Sequence, residues 1–340
     1  PPYPEPQLDR WRAIAERVDT PAHAPVRIAL VGKYTGLADA YLSVFKSLSP
    51  SGIQCNRRVD IEWIEASLLE PVTSSDTPEL AAQRTDAWAR LRKADGVLVP
   101  GGFGDRGFEG MVLAVKHCRE NKVPFLGVCL GYQAATVELA RHVLKLEGAT
   151  SEEFNQHAAH RAIIYMPEFN TGDMGGTMRL GARVTTLLPY PDGRRSLAQD
   201  IYGNAQGVSE RHRHRYEVNP ELVPRFEAEA GFFFTGKDAD GKGQRMEIAE
   251  IDRAKHPFFF GEQYHPEFQS YPHSPSPPFY GLVLAAAKAL EELPLPPDFE
   301  RGVFENGAPA PDALSRSPFP SPFGRVAPPL AAASLSLGPS

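Results

Sequence analysis

A chain of 340 residues, 42% hydrophobic and 23% charged, is long enough to bury a sizeable core and has the make-up of an ordinary water-soluble globular protein. Its formal net charge of −6 predicts no broad basic face, which argues against nucleic acid as a partner. No apolar run approaches the roughly 18 residues that would span a bilayer, so no membrane partner is expected. The three cysteines, Cys55, Cys118 and Cys129, are too few and odd in number for a disulfide framework, and a reducing, cytoplasmic setting is expected.

In chain order, residues 1–25 are proline-rich and read as a linker carrying one short amphipathic helix, Leu8–Val18. The chain opens at Pro1 without an initiator Met, so a piece of a longer protein is expected. From Val26 strand and helix signals alternate. Val26–Val31 is a short apolar strand, Ala38–Leu48 a helix, Val59–Glu65 a strand and Leu80–Leu91 a helix. Gly96–Val99 is a buried strand, Glu109–Asn121 a helix, Pro124–Val128 a buried strand and Tyr132–Leu146 a helix. Apolar strands separated by helices predict an α/β fold, doubly wound, with a mostly parallel sheet and helices on both faces. The second half adds a smaller β region: Ala162–Met166, Ala182–Leu187, Tyr216–Val218, Gly231–Phe234, Met246–Ile251 and Phe258–Tyr264. A last helix, Tyr280–Leu293, closes a folded body over 26–295. Residues 296–340, rich in Pro, Ser and Ala, read as a disordered tail.

Gly127-Val128-Cys129-Leu130-Gly131 is the most informative stretch. A buried strand runs directly into a helix, with a cysteine at the junction and a glycine two residues to either side. This is the cysteine form of a nucleophile elbow. The turn is so sharp that Cβ atoms at 127 and 131 would collide with strand and helix, and the helix N-terminus favours a thiolate. A lone cysteine is ordinarily a buried core residue; the glycine bracket reverses that reading for Cys129 and leaves it standing for Cys55 and Cys118. The N–H of Leu130 can donate to an oxyanion. Gly101-Gly102-Phe103-Gly104, closing the preceding strand, can bring a second donor from Gly102.

His265-Pro266-Glu267 follows the last apolar strand. Residues two apart on an extended backbone share a side, so Glu267 can fix the tautomer of His265, and His265 can serve Cys129 as base.

Together these motifs resemble the class I glutamine amidotransferases, a flavodoxin-like fold in which a Cys–His–Glu triad forms a γ-glutamyl thioester and releases ammonia. PGGFGDRG at Pro100–Gly107, GVCLGYQ at Gly127–Gln133, GGTMRLG at Gly175–Gly181, ERHRHRYEVNP at Glu210–Pro220 and QYHPEF at Gln263–Phe268 narrow the resemblance to the glutaminase domain of the CTP synthase family. VGKYTGLADAY at Val31–Tyr41 is similar to the start of that domain. The resemblance implies hydrolysis of L-glutamine by Cys129, His265 and Glu267, with the ammonia used for ATP-dependent amination of UTP in pyrimidine nucleotide biosynthesis. It implies that Gly102, Leu130, Gly131, Tyr132 and Gln133 line the glutamine site, that Glu153 binds the α-amino group and that Arg215 binds the α-carboxylate. Arg106, Thr177 and Arg179 would belong to a lid that answers to GTP as an allosteric effector. Tyr132 departs from the family, which often has Met there.

The family's ATP- and UTP-binding amidoligase domain is absent from this chain. It is the expected upstream partner, with a homo-oligomer in the full-length form. ATP and Mg are expected only with that domain, and the domain here is expected to need no cofactor. Gly231–Lys237 fits a phosphate-loop spacing, but Asp238 stands in place of Ser/Thr and the spacer is an apolar strand, so the match is read as accidental. His212 and His214 lack further ligands in the sequence. They read as part of a strand facing substrate or effector, with the remaining side chains solvated and no metal. A freestanding γ-glutamyl hydrolase and a regulatory remnant are the alternatives; GGTMRLG and RHRHRYEV argue against the first, the intact triad against the second.

Overall fold

The alternation of VRIALVG decides where the first strand lies. In β1 (Val26–Gly32) the pleat sends Ile28 and Leu30 to one face and Ala29 and Val31 to the other, and all four are fully buried. The computed structural model describes residues 8–166, 178–203, 205–239 and 245–293. The further strands are β2 (Val59–Glu65), β3 (Gly96–Val99), β4 (Phe125–Val128), β5 (Thr150–Ser151), β6 (Arg161–Tyr165), β7 (Arg179–Leu187), β8 (Gly207–His214), β9 (Tyr216–Val218), β10 (Phe232–Asp238), β11 (Met246–Ile251) and β12 (Phe259–Glu262). Nine strands form one sheet in the order β2-β1-β3-β4-β12-β11-β10-β7-β8, and β5-β6-β9 form a second, small one. The pairs from β2 to β12 are parallel, and those from β12 to β8 are antiparallel.

The principal helices are α1 (Leu8–Asp19), α2 (Leu42–Gln54), α3 (Pro78–Leu91), α4 (Phe108–Asn121), α5 (Leu130–His142), α6 (Leu197–Ile201) and α7 (Pro277–Ala286). The apolar residues of α3, α4 and α5 build the core on one face of the large sheet, and those of α2, α6 and α7 build the other. The doubly wound arrangement follows from strands that are apolar on both sides. Among the described residues no helix is long and apolar enough to cross a membrane.

Element boundaries differ from the sequence expectation where proline or cross-strand pairing intervenes. Helix α2 runs past Leu48 to Gln54 with Pro50 inside it. A proline there removes one backbone hydrogen bond, but its ring is buried along with Val44, Ser47 and Leu48 on the inward side. Helix α7 starts at Pro277-Pro278, where the missing N–H groups are unpaired in any helix, and ends at Ala286, well before Leu293. Strand β8, absent from the apolar-run reading because it reads GVSERHRH, exists through its eight-residue antiparallel pairing with β7. Gly231–Lys237 holds no phosphate loop: Phe232–Asp238 is a strand paired to β11 and β7. Residues 294–340 lie outside the described residues.

Helix α4 lies so close to the turn Ala66–Leu69 that a Cβ on Gly110 would stand 1.8 Å from the Ala66 carbonyl oxygen. Backbone cannot retreat as a flexible side chain can. Gly110→Ala is therefore expected to lower stability by about 3 kcal/mol, measured by urea unfolding.

Candidate active site

Strand β4 enters α5 with no intervening loop. Gly131 makes this geometry available: a Cβ there would lie 2.0 Å from the Val99 carbonyl oxygen of β3, and one on Gly127 would lie 2.8 Å from the Gly131 carbonyl. Between them Cys129 adopts φ 52°, ψ −101°, a conformation that side-chain-bearing residues rarely take. Its N–H donates to the Glu262 carbonyl at 2.7 Å, and its C=O accepts the first bond of the helix, from Gln133 N–H at 3.1 Å. Cys129 is 5% exposed at the helix N-terminus, where the opening N–H groups have no intrahelical acceptor. Cys118, by contrast, is enclosed in core, and burial pushes its thiol far above the usual range.

Strand β12 runs parallel to β4 with Gly261 beside Gly127 and Glu262 beside Val128. The chain leaving β12 therefore reaches His265 at the level of the elbow. His265 Nδ1 meets Glu267 Oε1 at 2.9 Å, and the ring lies within electrostatic reach of the Cys129 sulfur. A Cβ placed on Gly101 would stand 2.8 Å from His265 Cε1 and 3.4 Å from Cys129 Cβ, so glycine leaves the room in which both converge. Burial opposes a charge on His265, but Glu267 and the Cys129 sulfur outweigh it and hold the imidazole well above its usual pKa. The arrangement can sustain a thiolate–imidazolium pair.

The Gly101–Gly104 loop lies against the start of α5: a Cβ on Gly102 would touch Leu130 Cδ2 at 3.3 Å and Lys33 Cδ at 3.5 Å. Lys33, which received no role from its sequence, is 2% exposed just beyond β1. Its ammonium donates to the carbonyl oxygens of Phe103, at 3.2 Å, and Gly104. Arg106 donates back to the Lys33 carbonyl and pairs with Glu65 at 2.6 Å. Burial lowers Lys33 to a pKa of about 8, with Glu153 the main opposing influence. The buried lysine next to a glycine loop was the signal within VGKYTG, but only the fold brings positions 33 and 103 together.

The other expected site residues fall in two groups. Gly102, Leu130, Gly131, Tyr132, Gln133 and Glu153 surround the elbow or its loop: Glu153 Oε1 accepts from Gly104 N–H at 3.2 Å, while Tyr132 is fully buried with its hydroxyl donating to the Met246 carbonyl at 2.9 Å. Glu153 and Arg215 both act electrostatically on Tyr216. Arg215 Nε is buried without a hydrogen-bond partner among the described residues. Arg106 stands at the rim, over the Tyr34 ring at 5.8 Å. Arg179 differs from the expectation of a lid residue. It is 1% exposed and paired with Glu247 at 3.3 Å, because its place in β7 turns it inward. Thr177 lies outside the described residues.

The run around His212 and His214 forms the expected strand, with Arg211 and Arg213 exposed, while the two histidines turn inward at 0% and 2% exposure. His212 Nε2 meets Glu247 Oε2 at 3.0 Å, and His212, His214 and Glu247 offer ligand atoms within 4.8 Å of one another. The third group, on β11, was invisible in the spacing of the first two. Arg179 already lies against Glu247 as a positive partner. Burial opposes the Glu247 charge, but His212, His214 and Arg179 hold its pKa down to about 2, while burial pushes His214 down to about 3.

Comparison with known proteins gives a concordant result. Residues 36–285 match the family described as Glutamine amidotransferase class-I. The chain is 50% identical over 288 residues to a CTP synthase of Eremothecium gossypii, covering 84% of this chain and 48% of that protein. It is 48% identical over 287 residues to CTP synthase 2 of Xenopus laevis, covering 84% of this chain and 47% of the relative. The chain thus spans about half the length of the curated relatives it matches. Among solved structures, the glutaminase domain of Trypanosoma brucei CTPS with bound acivicin superposes with a TM-score of 0.68 at 36% identity, over 77% of this chain and 94% of that one.

Glu267→Gln tests the electrostatics of the pair. Because the folded pKa of His265 is raised, its stabilising contribution is complete below the ordinary histidine value of about 6.5 and is lost as pH rises through the higher folded value. Urea unfolding at pH about 6 is expected to show the parent more stable than Glu267→Gln by about 2 kcal/mol, a gap that closes at alkaline pH.

Proposed function

The chain belongs to the glutamine amidotransferase class-I family, and on that premise we propose that it hydrolyses the side-chain amide of L-glutamine, as the glutaminase portion of a CTP synthase. The observation that carries this reading is the strained elbow of Cys129 with His265 and Glu267 at its mouth. The Cys129 thiolate attacks the amide carbon, and the carbonyl oxygen becomes an oxyanion facing the N–H of Leu130 and the Gly101–Gly102 loop. The tetrahedral adduct collapses, the C–N bond breaks, and His265 gives its proton to the leaving ammonia. A water molecule then adds to the thioester carbon while His265 takes its proton, and C–S cleavage releases glutamate and the thiolate. Glu267 keeps the imidazole oriented through both transfers.

Glu153 and Arg215 suit the α-amino and α-carboxylate groups of an amino acid, one carboxylate and one guanidinium within electrostatic reach of Tyr216. In the full-length protein the ammonia would pass to an upstream amidoligase domain, where ATP and Mg would support amination of UTP. Arg106, at the exposed rim beside Tyr34, is suited to a purine effector such as GTP. Arg179 would influence such an effector only through the buried network in which it sits.

Glutamate release from glutamine tests this reading. Cys129→Ser is expected to lose activity by at least about 10³-fold, and a variant as fast as its parent would end it. Lys33→Met, which frees the carbonyls of Phe103 and Gly104, is expected to lower kcat about ten-fold with little change in KM, since a loop that holds an oxyanion acts in the transition state.

A further inference from the structure

Gln263 lies within the QYHPEF stretch, and the mechanism above assigns it nothing. It is 1% exposed, and its side chain sits between two groups of the site. Its Nε2 lies 3.6 Å from Cys129 Sγ, and its Oε1 lies 3.2 Å from Gln133 Nε2. Gln133, 3% exposed, places the same Nε2 3.2 Å from the backbone carbonyl of Tyr216.

The direction of this chain of amides follows from its far end. A backbone carbonyl can only accept, so Gln133 must present its NH₂ to Tyr216. The same NH₂ faces Gln263, which must answer with its oxygen. The carboxamide of Gln263 then has one orientation left, with its NH₂ toward the sulfur. No choice of flip at Gln263 alone is free once Tyr216 is in place. Its backbone is held as well: Gln263 N–H donates to the Glu247 carbonyl at 2.8 Å.

We propose that Gln263 is a catalytic residue that donates a hydrogen bond to the Cys129 thiolate, in an orientation fixed by a relay from the Tyr216 carbonyl through Gln133. The inference deepens the glutaminase reading and rests on it for its role in turnover, but the contact itself exists without substrate. The relay begins one residue after Arg215, so the strand that would grip the substrate carboxylate also orients the donor to the nucleophile. Of the groups around the sulfur, His265 supplies positive charge and exchanges protons. Gln263 supplies a donor that keeps its proton at every stage, and so stabilises the anion before attack and after release of glutamate.

The test is alkylation of Cys129 by iodoacetamide in the full chain without glutamine, followed by peptide mass spectrometry. The buried Cys55 and Cys118 serve as internal references. The rate is followed across pH and compared on the acid limb of the parent's own profile, where the anionic fraction of the sulfur limits it. A hydrogen bond to a charged group is worth about 1.5–3 kcal/mol, or a ten-fold or larger change in that fraction. The less stabilised thiolate is intrinsically more nucleophilic, which returns part of the loss. Gln263→Met is expected to be alkylated roughly three- to ten-fold more slowly than the parent.

Gln263→Glu, which keeps the shape and reverses the polarity, is expected to be at least as slow as Gln263→Met. If shape alone mattered, Gln263→Glu would match the parent and only Gln263→Met would slow; that result, or rates within two-fold for both, overturns the proposal. Should either variant fail to fold by circular dichroism, Gln133→Met leaves Gln263 in place and removes its anchor. A several-fold loss then supports the relay, and an unchanged rate overturns it. Glutamine hydrolysis by the parent is measured separately. A parent inert to glutamine but sensitive at Gln263 defeats the glutaminase reading alone, and an active parent insensitive at Gln263 defeats this inference alone.

Discussion

The contact between the first turn of α5 and the carboxyl end of β3 is the constraint on which the site depends. Backbone meets backbone there, with Gly131 against the Val99 carbonyl, and no residue with a Cβ fits. Holding the helix that close forces Cys129 into positive φ, a strain of about 1–3 kcal/mol that persists only where the surroundings over-determine it. They do so here through hydrogen bonds on both sides of the residue, from its N–H to β12 and to its C=O from the helix. The parallel register of β4 and β12 then carries His265 to the height of the sulfur. One packing contact thus sets the conformation of Cys129 and, through the sheet, the arrival of His265.

Charge in the interior follows a consistent rule. Lys33 is surrounded by carbonyl oxygens and by the carboxylates of Glu153 and Glu65. Arg179 and His212 converge on Glu247. Strands β7 and β8 lie two and three places from β11 in the sheet order. A flat sheet would keep β8 roughly 14 Å from β11, so the 3.0 Å contact of His212 with Glu247 means that the antiparallel end curls back over itself. Buried pairs of this kind contribute little net stability against an apolar substitute, but they penalise every register in which a partner is missing. Such a penalty suits a strand whose continuation carries Arg215 and the Tyr216 carbonyl into the site.

Much of the fold was legible because its strands are apolar on both faces and its breaks are glycine or proline. Val26–Gly32, Val59–Glu65, Gly96–Val99 and Phe125–Val128 lie where the apolar runs put them. Hydropathy does not mark strand β8, because histidines and arginines alternate where apolar residues would show the buried face; only the alternation of the run points to a strand. The proposed triad was legible for a local reason: an elbow needs glycines at fixed distance from the cysteine, and an orienting acid can sit two residues from the histidine on extended chain.

The amino-acid order was therefore sufficient for the doubly wound architecture and for the candidate site at Cys129, His265 and Glu267, since each rests on short-range steric or periodic rules. It was insufficient for Lys33, Gln263 and the Arg179–Glu247–His212 cluster. Those depend on pairs separated by 35 or more residues along the chain, such as His212 with Glu247 and Gln263 with Cys129. A charged or amide side chain reads as surface until a partner from elsewhere removes it from water. Folding supplies that partner, and with it the role.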